Sequence, residues 1–262
     1  MHTFTAGQFG DTVLRNFAAR REGTLFASEA KDRALTHPDF DALPVGSRKA
    51  ATMTVVFLDL TDFTGRSFWD DPTEVADLAH AVLSGFIETV IAFGGYPLGL
   101  RGDGLFAGFG PGTRPDIDAV MALGACAFAL DAVEREVNPR LVQRGIRRVQ
   151  ARAGLDHGAI TFIRSGNDQH SEVNPLGFAA NFAAKCEKKA DSWEVVIGEG
   201  IAGLLPDQNI YTEHADSPKQ YQRDYERRSY HFYDYRWRAS LPYLQSALEQ
   251  LGGRSTADIA IS

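Results

Sequence analysis

Apolar residues fall along this chain in two rhythms. Between residues 11 and 27, Val13, Leu14, Phe17 and Ala18 share one side of a helical wheel while Arg15, Arg20 and Arg21 lie elsewhere, which predicts a helix. A polar stretch with His37-Pro38 and Leu43-Pro44 follows and reads as a loop. The continuous, partly β-branched run Val55-Val56-Phe57-Leu58 then marks a buried strand over residues 51–60. Asp71-Pro72-Thr73-Glu74 has the form of a helix start, and Val75, Leu78, Ala79, Val82, Phe86, Val90 and Ile91 continue it at steps of three and four up to Gly94-Gly95. Two short apolar runs, 96–101 and 105–109, flank Gly102-Asp103-Gly104, a hairpin signal that puts Asp103 at the tip. Beyond Pro111 and Pro115 the pattern predicts a helix over 116–137. Strands over 147–155 and 159–163 come next, joined through Asp156-His157-Gly158, and then a polar loop over 165–174. A helix over 175–190, a strand over 193–197, one or two helical turns over 199–205, strands over 219–222 and 230–237, and a closing amphipathic helix over 241–251 complete the chain, with a polar tail after it.

This order of strands, hairpins and helices is α+β: a mostly antiparallel sheet with helices against one face, related to the ferredoxin-like arrangement. It divides into an N-terminal helical arm (1–50), packed on the domain or on a partner subunit, a central domain (51–238), and a C-terminal helix and tail (239–262).

Composition narrows the function classes. The chain has 262 residues, 44% of them hydrophobic and 23% charged, enough for a sizeable core. A net charge of -7 argues against general nucleic-acid binding but leaves room for one nucleotide in a local pocket. Cys126 and Cys186 stand at no metal-ligand spacing and read as buried, reduced thiols. Met1-His2-Thr3-Phe4 opens no basic-then-apolar signal peptide, and no uninterrupted apolar run approaches the roughly 18 residues that span a bilayer. The expectation is a soluble, cytoplasmic protein with no membrane insertion.

The candidate chemistry begins with Asp59. A carboxylate ending an apolar strand has no packing reason to be there, because an unpaired buried charge is costly; a cation, a basic partner or water must compensate it. Asp103, at a hairpin tip, is either the preferred turn residue or a second carboxylate converging on the same point. Together the two aspartates suit hard divalent cations, Mg²⁺ or Mn²⁺, which take oxygen ligands and substrate phosphates. After Asp59 the chain turns from strand to helix through Leu60-Thr61-Asp62-Phe63-Thr64. Backbone N–H groups there, with the Thr61 and Thr64 hydroxyls, form a candidate triphosphate cradle; an ordinary helix N-cap is the plainer reading. Gly102-Asp103-Gly104-Leu105-Phe106-Ala107 fits the dinucleotide-binding pattern G-x-G-x-x-A, but Gly108, Gly110 and Pro111 forbid the helix that pattern must open. His80 and His157 read as structural or exposed, Glu187 as solvated, and Arg223, Arg227, Arg228, Arg236 and Arg238 as solvated strand residues that alternatively reach triphosphate oxygens.

Three of these stretches resemble, in order, the motifs of class III nucleotidyl cyclases. Phe57-Leu58-Asp59-Leu60-Thr61-Asp62-Phe63-Thr64 is similar to the first metal motif, and Gly102-Asp103-Gly104-Leu105-Phe106-Ala107-Gly108-Phe109-Gly110 to the second. Gly177-Phe178-Ala179-Ala180-Asn181-Phe182-Ala183-Ala184-Lys185 is similar to the third. The resemblance covers roughly residues 52–200, more weakly to about 237. It implies a head-to-tail homodimer whose sites combine Asp59 and Asp103 of one subunit with the third motif of the other. Asp59, the Leu60 carbonyl and Asp103 would hold two divalent metal ions, Mn²⁺ or Mg²⁺. The ribose 3′-hydroxyl of a nucleoside triphosphate would attack the α-phosphorus in line and expel pyrophosphate. Asn181 would orient the ribose, and Lys185 would offset charge at the α-phosphate.

Departures from the family pattern bear on the substrate. Purine cyclases carry a base-reading lysine where this chain has Gly99, and an aspartate or similar polar residue where it has Phe178. Lys185 replaces an arginine, keeping charge without the planar fork. Asp62 stands where many members have glycine. Loss of the purine-reading pair with both metal aspartates kept resembles the pyrimidine cyclases of the Pycsar antiphage systems, whose cyclic UMP or cyclic CMP activates a separate effector. Phe178 and Arg101 are then base-recognition candidates, by stacking and by donation to a pyrimidine carbonyl. The expectation is a pyrimidine cyclase, uridylate first. Its rivals are a purine cyclase with atypical base recognition, an inactive nucleotide-binding domain of the same ancestry, and a metal-dependent phosphohydrolase.

Overall fold

The computed structural model describes residues 4–21, 35–167 and 169–256. Helix α1 (Ala6–Arg21) comes first, followed by the short α2 (Pro38–Asp41) and strand β1 (Arg48–Thr61). Helices α3 (Phe63–Trp69) and α4 (Pro72–Ala92) lead to the hairpin of β2 (Tyr96–Arg101) and β3 (Gly104–Phe109). Helix α5 (Pro115–Ala132) runs through a π-helical turn over Val133–Val137 into α6 (Asn138–Gln143). Strands β4 (Gln150–Gly166) and β5 (Ser171–Leu176) precede α7 (Phe178–Lys189), β6 (Val195–Gly198) and the single turn α8 (Glu199–Ala202). The chain then forms β7 (Tyr211–Glu213), the separate hairpin of β8 (Lys219–Arg223) and β9 (Glu226–Tyr230), β10 (Phe232–Tyr235) and α9 (Leu241–Leu251).

The main sheet has the order β2-β3-β1-β4-β6-β10-β7, with β5 added to the far half of β4. Its pairs are antiparallel except β4 with β6, whose crossover is α7. Alternation along β1 divides the interior in two. Val56, Leu58 and Leu60 face the larger core, built with α1, α4, α5 and α9. Met53 and Val55 face a smaller one that holds Phe40, Phe106, Ile160, Phe162 and Ala179, Ala180 and Ala183 of α7. Helices therefore cover both faces, not the one face expected from the order of elements. Helix α4 is long and apolar enough to cross a membrane by length and composition, but more than half of its most apolar stretch is buried in the protein.

The periodic segments appear where the pattern puts them, α4 and α9 most closely. Helix α1 starts earlier than expected and puts Phe9, Val13 and Phe17 into the larger core; residues 22–27 of its predicted span, and the tail from 257, lie outside the described residues. The two strands expected around Asp156-His157-Gly158 are one strand, β4, because those polar groups find partners inside the sheet. Asp156 accepts from the His157 amide and the Tyr230 hydroxyl, and His157 Nδ1 lies 2.9 Å from Thr54 Oγ1. The polar loop over 165–174 is a hairpin, with Arg164 opposite Val173.

Gly154 sets how closely α7 approaches β4. A Cβ there would stand 1.9 Å from the Glu187 nitrogen and 2.4 Å from the Ala183 carbonyl oxygen, both backbone atoms that cannot swing aside. Gly154→Ala must push the helix off the strand; we expect a loss of about 2–3 kcal/mol or more, measured by urea unfolding.

Candidate active site

β1 and β3 remain paired up to Asp59 opposite Gly104, and the ladder ends there. Asp103 precedes Gly104 in the two-residue turn between β2 and β3, so the strand end and the turn bring both carboxylates to one spot. The positive φ of this turn falls on Gly102 (65°), the pattern of a type II′ turn, and not on Gly104. Gly104 serves a different purpose: a Cβ there would come within 2.9 Å of Asp59 Oδ1 and crowd that carboxylate. Burial, and next the charge of Asp59, hold the Asp103 carboxyl above the usual carboxylate range.

Two groups that sequence reasoning missed complete the cluster. Arg152, directly opposite Asp59 on β4, donates to Asp59 Oδ2 from Nη2 (2.9 Å) and Nε (3.2 Å). The same Nη2 lies 2.5 Å from Glu187 Oε1 on α7. Glu187 is thus buried, not solvated as expected, and burial together with Asp59 pushes its carboxyl up to about 7. The guanidinium is the compensating charge that the strand-end aspartate demands. Arg152 and Asp59 are partly buried, so their pair lies between a fully buried one, whose breaking typically costs about 3–5 kcal/mol, and an exposed one worth about 0–1 such as Arg228–Glu226. The arrangement nevertheless keeps Asp59 Oδ1 turned toward the turn that carries Asp103. Two neighbouring carboxylates, one of them raised above its usual range by burial and then by the other's charge, fit a hard divalent cation.

The expected phosphate turn is ordered by its own contacts. Thr61 Oγ1 lies 2.6 Å from Ser192 Oγ, Asp62 adopts a left-handed conformation (φ 55°) with its side chain exposed, and Phe63 is buried in the larger core. Thr64 lines a groove of about 340 Å³ that also includes Ser67, Gly102 and Asp103. Beyond Asp59, Leu60 and Thr61 pair only with β4, so the β3 side of the strand is open at Leu60.

Helix α7 carries the third stretch on two faces. Ala180, Ala183 and Glu187 point into the protein, while Phe178, Asn181 and Lys185 are exposed. Lys185 Nζ donates to the Tyr221 hydroxyl (3.0 Å). Phe178, 47% exposed, meets Tyr230 and Tyr221 edge-on, at 4.7 and 5.7 Å between ring centroids. On β2, Arg101 folds back over Gly99: its Nη1 would lie 3.3 Å from a Cβ at Gly99, and it donates to the Leu100 carbonyl. The guanidinium thus occupies the space into which a longer side chain at 99 would project. Asp59, Asp103, Leu60 and Thr64 adjoin one another. Gly99 and Arg101 reach them along β2, while Phe178, Asn181 and Lys185 form a second group on α7.

No protein-family model matches the chain. Two cytidylate cyclases of Escherichia coli are similar to it. One is 24% identical over 179 residues, covering 65% of this chain and 39% of that protein; the other is 28% identical over 189 residues, covering 68% and 41%. The chain therefore spans about two-fifths of the length of these relatives. Among solved structures, the adenylyl cyclase CyaB from P. aeruginosa superposes with a TM-score of 0.62 at 21% identity, covering 72% of this chain and 95% of that one. The fold is that of the class III nucleotidyl cyclase domain, and the sequence is similar to those of proteins named cytidylate cyclase.

Two outcomes test the electrostatics. Adding Mn²⁺ should raise the unfolding temperature, by the equivalent of about 2.7 kcal/mol at a hundredfold excess over Kd. Asp103→Asn should abolish that rise without destabilising the metal-free protein, because it relieves a carboxyl crowded by Asp59. Separately, burial pushes Asp156 up from 3.8 to about 7. A raised folded-state value means stability that is present below the unfolded value and lost as pH climbs through the folded one. Stability relative to Asp156→Asn should therefore fall between pH 3.8 and about 7, as read from urea midpoints.

Proposed function

We propose that this chain, a class III cyclase fold, is the catalytic domain of a pyrimidine nucleotide cyclase that converts CTP or UTP to the 3′,5′-cyclic monophosphate and pyrophosphate. The observation that carries this reading is the closeness of Asp59, at the end of β1, to Asp103 in the adjoining turn, near enough for the charge of one to act on the other. Asp59, the Leu60 carbonyl and Asp103 hold the divalent cations. When bound, these supply Lewis acidity, lowering the pKa of the ribose 3′-hydroxyl and offsetting phosphate charge. The turn from Thr61 through Asp62 and Phe63 to Thr64 receives the phosphates. Asn181 orients the ribose, and Lys185 offsets the charge that develops on the α-phosphate as the 3′-oxygen bonds to phosphorus and the bond to the pyrophosphate oxygen breaks. The hydroxyl proton leaves to solvent.

Base selection supports a pyrimidine. Gly99 offers no side chain, the Arg101 guanidinium covers its position, and Phe178 presents a ring where a polar reader would stand. The names of the similar proteins favour cytidine over the uridine expected from the sequence. We take the acting unit to be a homodimer in which α7 of one subunit completes the metal site of the other. Its cyclic product serves as a messenger read by a separate effector in antiphage defence.

A second reading has one observation behind it. The ion pair from Arg152 to Asp59 competes with a cation, as it would in a nucleotide-binding module that has lost turnover. An equimolar mixture of ATP, GTP, CTP and UTP with Mn²⁺ separates the readings. We expect cyclic CMP or cyclic UMP, with turnover lowered by on the order of a thousandfold in Asp59→Ala and Asp103→Ala. A preference for ATP or GTP would sink the pyrimidine reading, and nucleotide binding without pyrophosphate release would favour the module.

A further inference from the structure

The β8–β9 hairpin stands apart from the main sheet and packs on α7. Its two inward tyrosines touch two α7 side chains to which the proposed function gives a role, Phe178 and Lys185. Tyr230, at the base, donates to Asp156 Oδ2 (3.1 Å) and Oδ1 (3.3 Å) and stands edge-on to Phe178 and Phe182. Since Asp156 is fully buried on β4, this fastens the hairpin to the sheet. Tyr221, opposite Arg228 in the hairpin, is half-buried. Its hydroxyl accepts from Lys185 Nζ at 3.0 Å, and the same nitrogen lies 5.0 Å from its ring centroid. Its ring also meets Phe178 edge-on.

Lys185 is otherwise a poorly directed group. It is exposed, on a four-carbon stem with many rotamers, and its ammonium is a point charge without the fork that lets a guanidinium align two donors at once. Stabilising charge that appears only in the transition state needs a donor already in place, since reorienting it during the reaction costs much of the gain. A lysine waving in solvent does not meet that need. One tied by a hydrogen bond and a ring face to a hairpin that is itself fastened to β4 does.

We propose that Tyr221 is a positioning residue: it pre-aligns Lys185, supplying from the hairpin the orientation that a planar side chain would carry in itself. The proposal rests on the cyclase reading for what Lys185 does, but not for where Lys185 is held. Tyr221 touches Lys185, not the nucleotide, so its loss acts on the chemical step and leaves binding alone. An arginine at 185 needs less help, so the two positions are coupled.

The test uses the full chain with Mn²⁺ and whichever pyrimidine triphosphate it turns over. Tyr221→Phe keeps the ring and the hairpin packing but removes the hydroxyl. We expect kcat to fall about tenfold, a fraction of what losing a whole donor costs, while the Kd for the 3′-deoxynucleoside triphosphate, which lacks the attacking hydroxyl, stays within about twofold of the unsubstituted protein. In the Lys185→Arg background the same substitution should lower kcat by less than about twofold, because the guanidinium orients itself. Acylation of Lys185 by a small amine-reactive ester, followed by mass spectrometry, should run faster in Tyr221→Phe. An unchanged kcat, an equal loss of kcat in both backgrounds, or a loss of binding to match would each overturn the assignment. If the unsubstituted protein makes no cyclic product, the cyclase reading fails, and the positioning contact stands or falls on the acylation rate alone.

Discussion

A carboxylate at the end of an apolar strand must be neutralised, and this need organises the centre of the molecule. Asp59 projects from the β1 face covered by α7, where water is scarce and one guanidinium serves two acids. The charge count explains why the cluster is poised, not satisfied. Asp59, Asp103 and Glu187 outnumber Arg152, and burial first, then the charge of Asp59, raises the carboxyls at 103 and 187 above their ordinary range. A divalent cation removes that imbalance. Metal affinity and the protonation of Glu187 are thus two answers to one electrostatic deficit.

Helix α7 ties this cluster to the rest of the proposed chemistry. Its buried side comes close enough to β4, through Gly154, for Glu187 to reach Arg152 and so brace the aspartate of its own chain. Its exposed side presents Phe178, Asn181 and Lys185 outward, two of them held by the β8–β9 hairpin. In a head-to-tail dimer the same twelve-residue helix would serve two sites, one through each face. In that assembly a change on its buried side would act on two centres through one rigid element.

Most of this architecture is legible in the sequence because periodicity reports burial directly. Helices α4 and α9 and the apolar core of β1 follow from spacing alone. Strand β4 was misread as two because Asp156-His157-Gly158 has a turn's composition, and only tertiary partners, Tyr230 and Thr54, let polar groups lie within a strand. For the same reason the sequence does not single out Arg152 and makes Glu187 read as solvated, since their meeting is a fact of packing. Signals for both were nevertheless present. Arg152 lies between the buried Ala151 and Ala153 and so points to the opposite face of β4, in register with Asp59, and Glu187 stands at helical steps from Ala180 and Ala183, on the face that small residues mark as buried. A charge out of place on a buried face asks for a partner.

The directly opposed placement of Asp59 and Arg152 has a bearing on how the sheet comes together. These two strands share fourteen residues of pairing in largely apolar company, and apolar contacts alone discriminate weakly between neighbouring alignments. Shifting β1 by a single residue would invert its faces and drive a naked carboxylate toward the core that holds Phe86 and Leu105, while leaving the guanidinium with nothing to answer it. The acid that the proposed chemistry needs thus also acts as an indexing mark: it makes the wrong alignments of β1 and β4 costly, and the folded chain inherits a correctly assembled centre.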